Sequence, residues 1–449
     1  MSLDVLRLSR WLSLSLALAL PVTAAGCAAE PQPDDPSVET DEGGEGATED
    51  EITEVANTKV KRQSIGNCWL YAASSWVESL HKGVAGEELN TSETYLTYWD
   101  WYEKIANGTG LSDGIQTGGT YTTAAELINR YGLMLESDFV PAEATSEMSA
   151  TQASAEKYIN EALKNGELRT STARKTKKTV RAVLNKAFGL SPAIVADMNA
   201  VFGVSTTKTL DKSYATDAKK LPAGSKVIRP RDFSVELPDP ADHSLQVRSL
   251  QDAIGKRDGY RGRTGAYAWN EVDYPYPASS RRSFWQRVQR ALHDNQPVMV
   301  SWFVDFNALT DDARFSKKEL DVVGPGSQGG HMTLLSDYQI KIPAAPAANG
   351  KPARAELLLK AGVKATAEQL ELALLPEAQI EFMRIKNSWG AFRPDRWKDA
   401  PLPGYHDLMW DYINGPIKQC SEDASGHTDP TSCYSQQTPL WDVVLPPGY

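Results

Sequence analysis

The 449-residue chain is poor in the residues that build metal sites, with four cysteines and six histidines. Neither a His-x-x-x-His pair nor a Cys-x-x-Cys spacing occurs, which leaves no local frame for a bound metal. A Gly-rich phosphate loop is missing too, and with it the common sequence sign of a nucleotide cofactor. No cofactor and no metal are therefore expected, and no internal repeat is evident. A basic surplus is also lacking. Two arginines and one aspartate give residues 1–29 a charge of +1, and Glu30 to Glu54 holds eleven acidic residues without a basic one, so of the net −11 only −1 falls on residues 55–449. A folded part that close to neutrality gives no reason to expect nucleic acid as a partner.

The acidic stretch, filled out with Pro, Gly, Ser and Thr, cannot bury a core and reads as a disordered tether extended by self-repulsion. Ahead of it, Arg7 and Arg10 precede an apolar run from Trp11 to Val22, a signal-peptide pattern too short to cross a bilayer. Thr23-Ala24-Ala25-Gly26-Cys27 resembles a bacterial lipobox. That resemblance implies cleavage before Cys27, lipid on its sulfur, and export to the cell envelope with the membrane held through the lipid; the alternative is an ordinary secretory signal cut nearby. Ala28 stands where an aspartate would favour retention at an inner membrane, so the outer membrane is the expected anchor. The organisation is then a signal peptide at 1–26, Cys27 with its tether at 27–56, and one folded domain at 57–449.

Within that domain Cys68 has the most informative setting, Gln63-Ser64-Ile65-Gly66-Asn67-Cys68-Trp69-Leu70-Tyr71-Ala72. Apolar residues at 69, 72, 73, 76, 77 and 80 form a helical stripe, and Gly66 and Asn67 read as its turn and cap. The sulfur thus sits at a helix N-terminus, where unpaired amide groups favour an anion and lower a thiol pKa. Cysteine is more often a small buried apolar residue. Two downstream segments reverse that reading. Gly329-Gly330-His331-Met332-Thr333-Leu334 sets a histidine at the mouth of an apolar strand, and Lys386-Asn387-Ser388-Trp389-Gly390 sets an asparagine at the end of another. His331 would hold Cys68 as thiolate and protonate a leaving amine, Asn387 would orient the ring, and Trp389 would shield their bond from water.

Here the chain resembles the papain-like cysteine peptidases, over about 60–135 and 280–410. Besides the cysteine helix, Thr117-Gly118-Gly119-Thr120 is similar to the family's Gly-Gly segment, whose backbone pairs with substrate; Ser283 to Asn295 leads into Gln296-Pro297-Val298 as the family enters its sheet; and Asn387-Ser388-Trp389-Gly390 matches its asparagine motif letter for letter. The resemblance implies an α+β, two-lobed fold, a peptide or protein substrate, and the triad Cys68, His331 and Asn387. It also implies substrate binding by Gly118 and Gly119, and an oxyanion hole of the Gln63 amide with the Cys68 backbone N–H. Departures accompany it. Gln63 precedes the cysteine by five positions where the family has six, and Ile65 and Gln116 occupy the places of a disulfide the family usually carries. The Gly-x-Cys-Trp-Leu wording is shared with bleomycin-hydrolase-like and calpain-like branches, and Ser388 favours the papain and bleomycin hydrolase side.

With Cys27 assigned to lipid and Cys68 to catalysis, Cys420 and Cys433 remain, and in an exported protein they read as a disulfide; a reduced pair or a metal site is the alternative. The helical lobe is expected over about 63–283 with an insertion at 145–280, and the β lobe over 284–449 with an insertion at 343–377. The first insertion reads as helices at 147–165, 173–188 and 192–202, followed by a strand-like stretch from Lys226 to Leu237. Lys175, Lys177, Lys178 and Arg181 read as a solvated helix face, with an anionic partner as the alternative. The aromatic group Tyr95, Tyr98, Trp99, Trp101 and Tyr102 reads as core packing, and the histidines other than His331 as surface residues. Three functions fit: a cysteine peptidase working through a thioester, a transpeptidase or amidase on cell-wall peptides using the same triad, and a non-catalytic surface-binding lipoprotein.

Overall fold

The computed structural model describes residues 55–112, 114–347, 353–391, 402–422 and 428–449. The signal peptide, Cys27, the tether to Glu54 and His427 lie outside the described residues. No helix among those described is long and apolar enough to cross a membrane.

Helix α1 (Cys68–Ala85) forms where the apolar stripe predicts it and buries Trp69, Ala72, Ala73, Trp76, Val77 and Leu80. It stops at Gly86, whose φ of 70° only glycine adopts at little cost. Helix α2 (Glu93–Asn107) starts at Ser92, whose side chain accepts from the Tyr95 N–H at 2.9 Å. The aromatic group on α2 is core: Tyr95, Tyr98, Trp99, Trp101 and Tyr102 are all buried, and Trp99 lies flat on Tyr131 of α3 (Tyr121–Tyr131) at 3.8 Å between centroids.

The first insertion supplies helices Ala150–Lys164, Lys177–Ala187 and Pro192–Phe202, with a short turn, Ser171–Lys175, ahead of the second. Arg181 is not part of a solvated face. It is buried, with its Nε donating to the Tyr98 hydroxyl at 2.7 Å and its guanidinium over the Trp99 ring. Only Ser234–Pro238 of the strand-like stretch is a strand, paired with Leu245–Ser249.

The second lobe is built on an eight-stranded sheet. Its strands run in the order Asn270–Asp273, Leu440–Leu445, Val298–Asp305, Gln328–Ile342, Gln379–Lys386, Tyr405–Met409 and Arg314–Phe315, with Leu357–Leu359 also pairing on Gln328–Ile342. Neighbours are antiparallel except for the last pair, Tyr405–Met409 with Arg314–Phe315. The histidine strand, Gln328–Ile342, is therefore central, and the asparagine strand, Gln379–Lys386, lies directly beside it. The second insertion contributes helix Ala367–Ala373, opened by a capping box between Thr366 and Gln369. Cys420 and Cys433 face each other across hairpin Ile417–Glu422/Thr428–Gln437 and are disulfide-bonded. The last residue, Tyr449, is held against helix Ala278–His293 and the turn after it, by Arg287 through its backbone oxygen and by Asp294 through its hydroxyl.

Residues 55–63 run along the seam between the lobes and are bonded to both. Asn57 Nδ2 reaches Ser336 Oγ of the sheet at 2.9 Å, while Lys61 Nζ donates to Glu78 of α1 at 2.8 Å and to Glu93 of α2 at 2.7 Å. Thr58 links the two sides, donating to Glu78 at 2.9 Å and accepting from Lys386 Nζ at 2.8 Å. Burial without full pairing pushes the Lys386 amine down to about 8, and burial raises the Glu93 carboxyl.

His293, at the end of helix Ala278–His293, shows what burial does to an imidazole. Desolvation, helped by Arg290, lowers its pKa from 6.5 to about 4, with Nε2 against the Tyr338 hydroxyl at 2.6 Å. The unfolded chain takes up this proton near pH 6.5 and the folded chain only near 4. Stability present above 6.5 is therefore lost as pH falls toward 4. Thermal unfolding across that range should show a shallower decline for His293→Gln than for the native chain; parallel curves would assign the acid sensitivity to other groups.

Candidate functional site

The head of α1 is buried and has no side-chain cap, which leaves its positive end for an anion. Asn67 occupies the cap position, but its side chain makes no cap and donates instead to Thr97 Oγ1 at 2.9 Å and Gln152 Oε1 at 2.8 Å; the first turn carries no acidic residue. The α1 helix packs on the histidine strand, and the backbone N–H of Met332 donates to Cys68 Sγ at 3.2 Å. The sulfur thus meets the backbone of the histidine strand, one residue beyond His331, across the lobes. Cys68 is disulfide-bonded, and no described cysteine is a free thiol. This departs from the expected free nucleophile. A thiol made acidic by a helix terminus is also the one most readily drawn into a disulfide, and reduction returns it to the thiolate form.

His331 is 2% exposed and Asn387 is 3% exposed. His331 Nε2 lies 2.7 Å from Asn387 Oδ1, and Nδ1 has no hydrogen-bond partner among the described residues. Trp389 stacks on the imidazole at 4.7 Å and 17°, while Trp302 meets it edge-on at 5.5 Å, so the bond between His331 and Asn387 is closed off by indoles. Burial lowers the imidazole pKa to about 4, and the Asn387 bond opposes that shift only in part. A neutral ring is the result when no anion stands beside it; a thiolate there would draw the proton back.

Gln63 is buried at the same seam. Its backbone N–H donates to the Ser388 oxygen at 2.9 Å, its Oε1 accepts from Ser388 Oγ at 2.6 Å, and its Nε2 donates one hydrogen to the Ile65 oxygen at 2.9 Å. The second amide hydrogen remains for another acceptor. Ser388, which sequence reasoning used only as a branch marker, is thus what fixes the glutamine.

Gly118 and Gly119 lie beside Trp69, the residue after the cysteine. A Cβ on Gly119 would come within 2.4 Å of the indole, and the indole N–H donates to the Thr117 oxygen at 2.8 Å. Lys104 secures the same loop, donating to Gln116 O at 2.8 Å and Gly118 O at 2.9 Å while paired to Asp100 at 2.7 Å. That cation ties down the loop, and Ile65 is buried in the core. The i,i+4 pairing with Asp100 is local, but nothing in the sequence marked the role of Lys104 in the loop, whose two oxygens come from twelve and fourteen residues away. Gly119→Ala should lower stability by about 1–3 kcal/mol through forced movement of Trp69. A urea midpoint equal to the native one would show that the loop yields freely.

The remaining histidines are not all surface groups. His406 is buried in strand Tyr405–Met409, with its Nδ1 3.3 Å from Asn387 Nδ2, and helix-end and loop reasoning missed it because that strand was not expected. Among the described residues no group of three acidic, histidine or cysteine side chains could hold a metal ion.

No protein-family model matches the sequence and no curated protein is significantly similar to it. Among solved structures the chain is similar to PepW from Lactobacillus rhamnosis HN001, with a TM-score of 0.37 and 14% identity over 88% of this chain and 81% of that one. It is also similar to the cysteine protease CMS1MS2 of Carica candamarcensis, solved with E-64, at a TM-score of 0.28 and 12% identity over 87% and 93%. A third likeness is to xylellain, a cysteine protease from Xylella fastidiosa, at 0.32 and 11% over 94% and 96%. Likenesses of that size establish no activity. With a cysteine helix packed across a central histidine strand and the asparagine on the adjoining strand, the chain has an α+β, two-lobed fold.

Proposed function

We propose that this chain is an envelope-anchored cysteine peptidase that hydrolyses peptide bonds through a thioester. The observation that supports it most is the 2.7 Å contact between His331 Nε2 and Asn387 Oδ1, next to a sulfur that accepts the Met332 N–H at 3.2 Å. In this reading the reduced Cys68 sulfur, ionised by proton transfer to His331, attacks the peptide carbonyl. The Gln63 amide and the Cys68 backbone N–H stabilise the oxyanion, and collapse to the thioester expels the amine with the proton from His331. Water, deprotonated by the same imidazole, then releases the acid and restores the thiol. Gly118 and Gly119 would hold the substrate backbone by strand addition. Lipid on Cys27 would anchor the enzyme to the outer membrane with the acidic tether as spacer. Since a lipidated cysteine can form no disulfide and Cys420 pairs with Cys433, Cys68 of the lipidated protein would be a thiol, the reductant-dependent form belonging to the unlipidated chain. A transpeptidase or amidase on cell-wall peptides would use the same steps with a different acceptor or donor.

The bonded state of Cys68 favours a second reading, a binding lipoprotein in which this sulfur is purely structural. The full chain, with and without a thiol reductant, should be incubated with a peptide library and with the epoxide inhibitor that traps papain-like thiolates. Labelling at Cys68 and peptide cleavage, both dependent on reductant, are expected. Labelling without cleavage would point to a cell-wall or other narrow substrate, and no labelling after full reduction would leave the binding lipoprotein.

A further inference from the structure

We propose that His406 is a positioning residue for the triad, holding the Asn387 carboxamide in the one orientation that supports His331. This rests on the cysteine peptidase reading and adds a fourth side chain to it. The Asn387 Oδ1 already accepts two donors, His331 Nε2 at 2.7 Å and the Ser388 backbone N–H at 2.7 Å. Its NH₂ must then face the other way, into a buried region, and what it meets there is His406 Nδ1 at 3.3 Å. Since Nδ2 is the donor, Nδ1 must be the unprotonated nitrogen of His406, which assigns that ring the tautomer with hydrogen on Nε2.

Strand pairing delivers this contact. His406 stands opposite Ile385 on the asparagine strand, so its side chain leaves the sheet on the face shared by Ile385 and Asn387 and reaches the latter diagonally. The start of the strand is tied in by the Asn387 N–H, which donates to the Gly404 oxygen at 3.0 Å. Gly404 has a φ of 80°, and a Cβ there would come within 2.5 Å of Val60 on the seam segment. The backbone that carries His406 therefore has little freedom to move away from Asn387.

The function follows from what the asparagine must do. Through the whole cycle His331 exchanges its Nδ1 proton, while Nε2–H must go on donating to the same oxygen with the two planes aligned. Without an acceptor for Nδ2 the carboxamide carries a buried unsatisfied donor and gains reason to rotate, which releases the imidazole. His406→Leu removes the acceptor and retains bulk; His406→Asn places a carbonyl oxygen where Nδ1 was.

The test is steady-state peptide hydrolysis and epoxide labelling of the reduced full chain, with thermal unfolding of each variant as a control for folding. His406→Leu should lower kcat by about tenfold or more with KM changed less than about twofold, and His406→Asn should remain within about threefold of native. In an Asn387→Ala background His406→Leu should change kcat by less than about twofold, because its hydrogen-bonded route to the histidine is gone, whereas a role through the edge contact with Trp389 would persist in both backgrounds. Equal losses in both backgrounds, or equal losses for Leu and Asn, would assign His406 to sheet packing and overturn the inference while leaving the peptidase reading intact. A native chain that is neither labelled nor active after reduction would remove both together. If His406→Leu does not fold, His406→Asn and the double variant His406→Asn/Asn387→Ala decide the question by the same comparison, with a native-like kcat required of the first.

Discussion

Replacing Cys68 with serine is expected to lower peptide turnover of the reduced protein by about 10⁴-fold or more, with little change in its thermal unfolding. The two side chains differ by one atom, so what changes is acidity rather than shape. An imidazole whose proton affinity burial has lowered to about 4 is a weak base, unable to activate a hydroxyl of ordinary acidity. A sulfur at an uncapped helix terminus ionises far more readily, and once it does, its charge strengthens the imidazole that took the proton. The native chain and the variant should be compared under reductant, because Cys68 is disulfide-bonded and the oxidised forms differ by a covalent bond. A serine variant that kept a tenth of native turnover would end the nucleophile assignment.

Glu78→Ala should destabilise the fold by about 3–5 kcal/mol, the range seen when one partner of a buried ion pair is removed. The Glu78 side chain is 0% exposed and accepts from Lys61, Thr58, and both the N–H and hydroxyl of Thr91. Lys61, whose charge Glu78 and Glu93 sustain against burial, would be left with one carboxylate and the Thr91 oxygen, and two Thr91 donors would lose their shared acceptor. Glu78→Met combined with Lys61→Met and Glu93→Gln should cost less than Glu78→Ala alone, since the cation and both of its carboxylates leave together. Denaturant unfolding of the single and triple variants measures this. A single-variant loss below about 1 kcal/mol would mean that water reaches the seam and that the lobes are held elsewhere. Because Thr58 and Lys386 carry the network to the residue preceding Asn387, loss of Glu78 should also slow epoxide labelling of Cys68.

Helix α1 is legible from its buried stripe, and Pro192–Phe202 from its end signals, the Ser191 cap, the proline at its first position and Gly203 after its end, because each of these decides a helix locally. Arg181 was misread for the complementary reason: a cation inside a basic run resembles solvated surface until a distant tyrosine, threonine and tryptophan enclose it. Of Lys226 to Leu237 only Ser234 to Leu237, continued to Pro238, lies in a strand, because apolar and polar residues alternate only from Phe233 on and only there does Leu245–Ser249 lie alongside.

For the site, side-chain identity and order along the chain determined the nucleophile, base and orienting amide as candidates, together with the glycines beside them, since each chemical role admits few residue types. The tertiary structure alone decided that His331 and Asn387 meet at 2.7 Å, that Ser388 aims Gln63, and that Lys104 secures the glycine loop. It also decided that His406, ordinary in its own segment, stands behind the asparagine, and that Cys68 is bonded. Those contacts join residues from separate elements, and distance through space between such residues depends on strand order and packing, which no local pattern encodes.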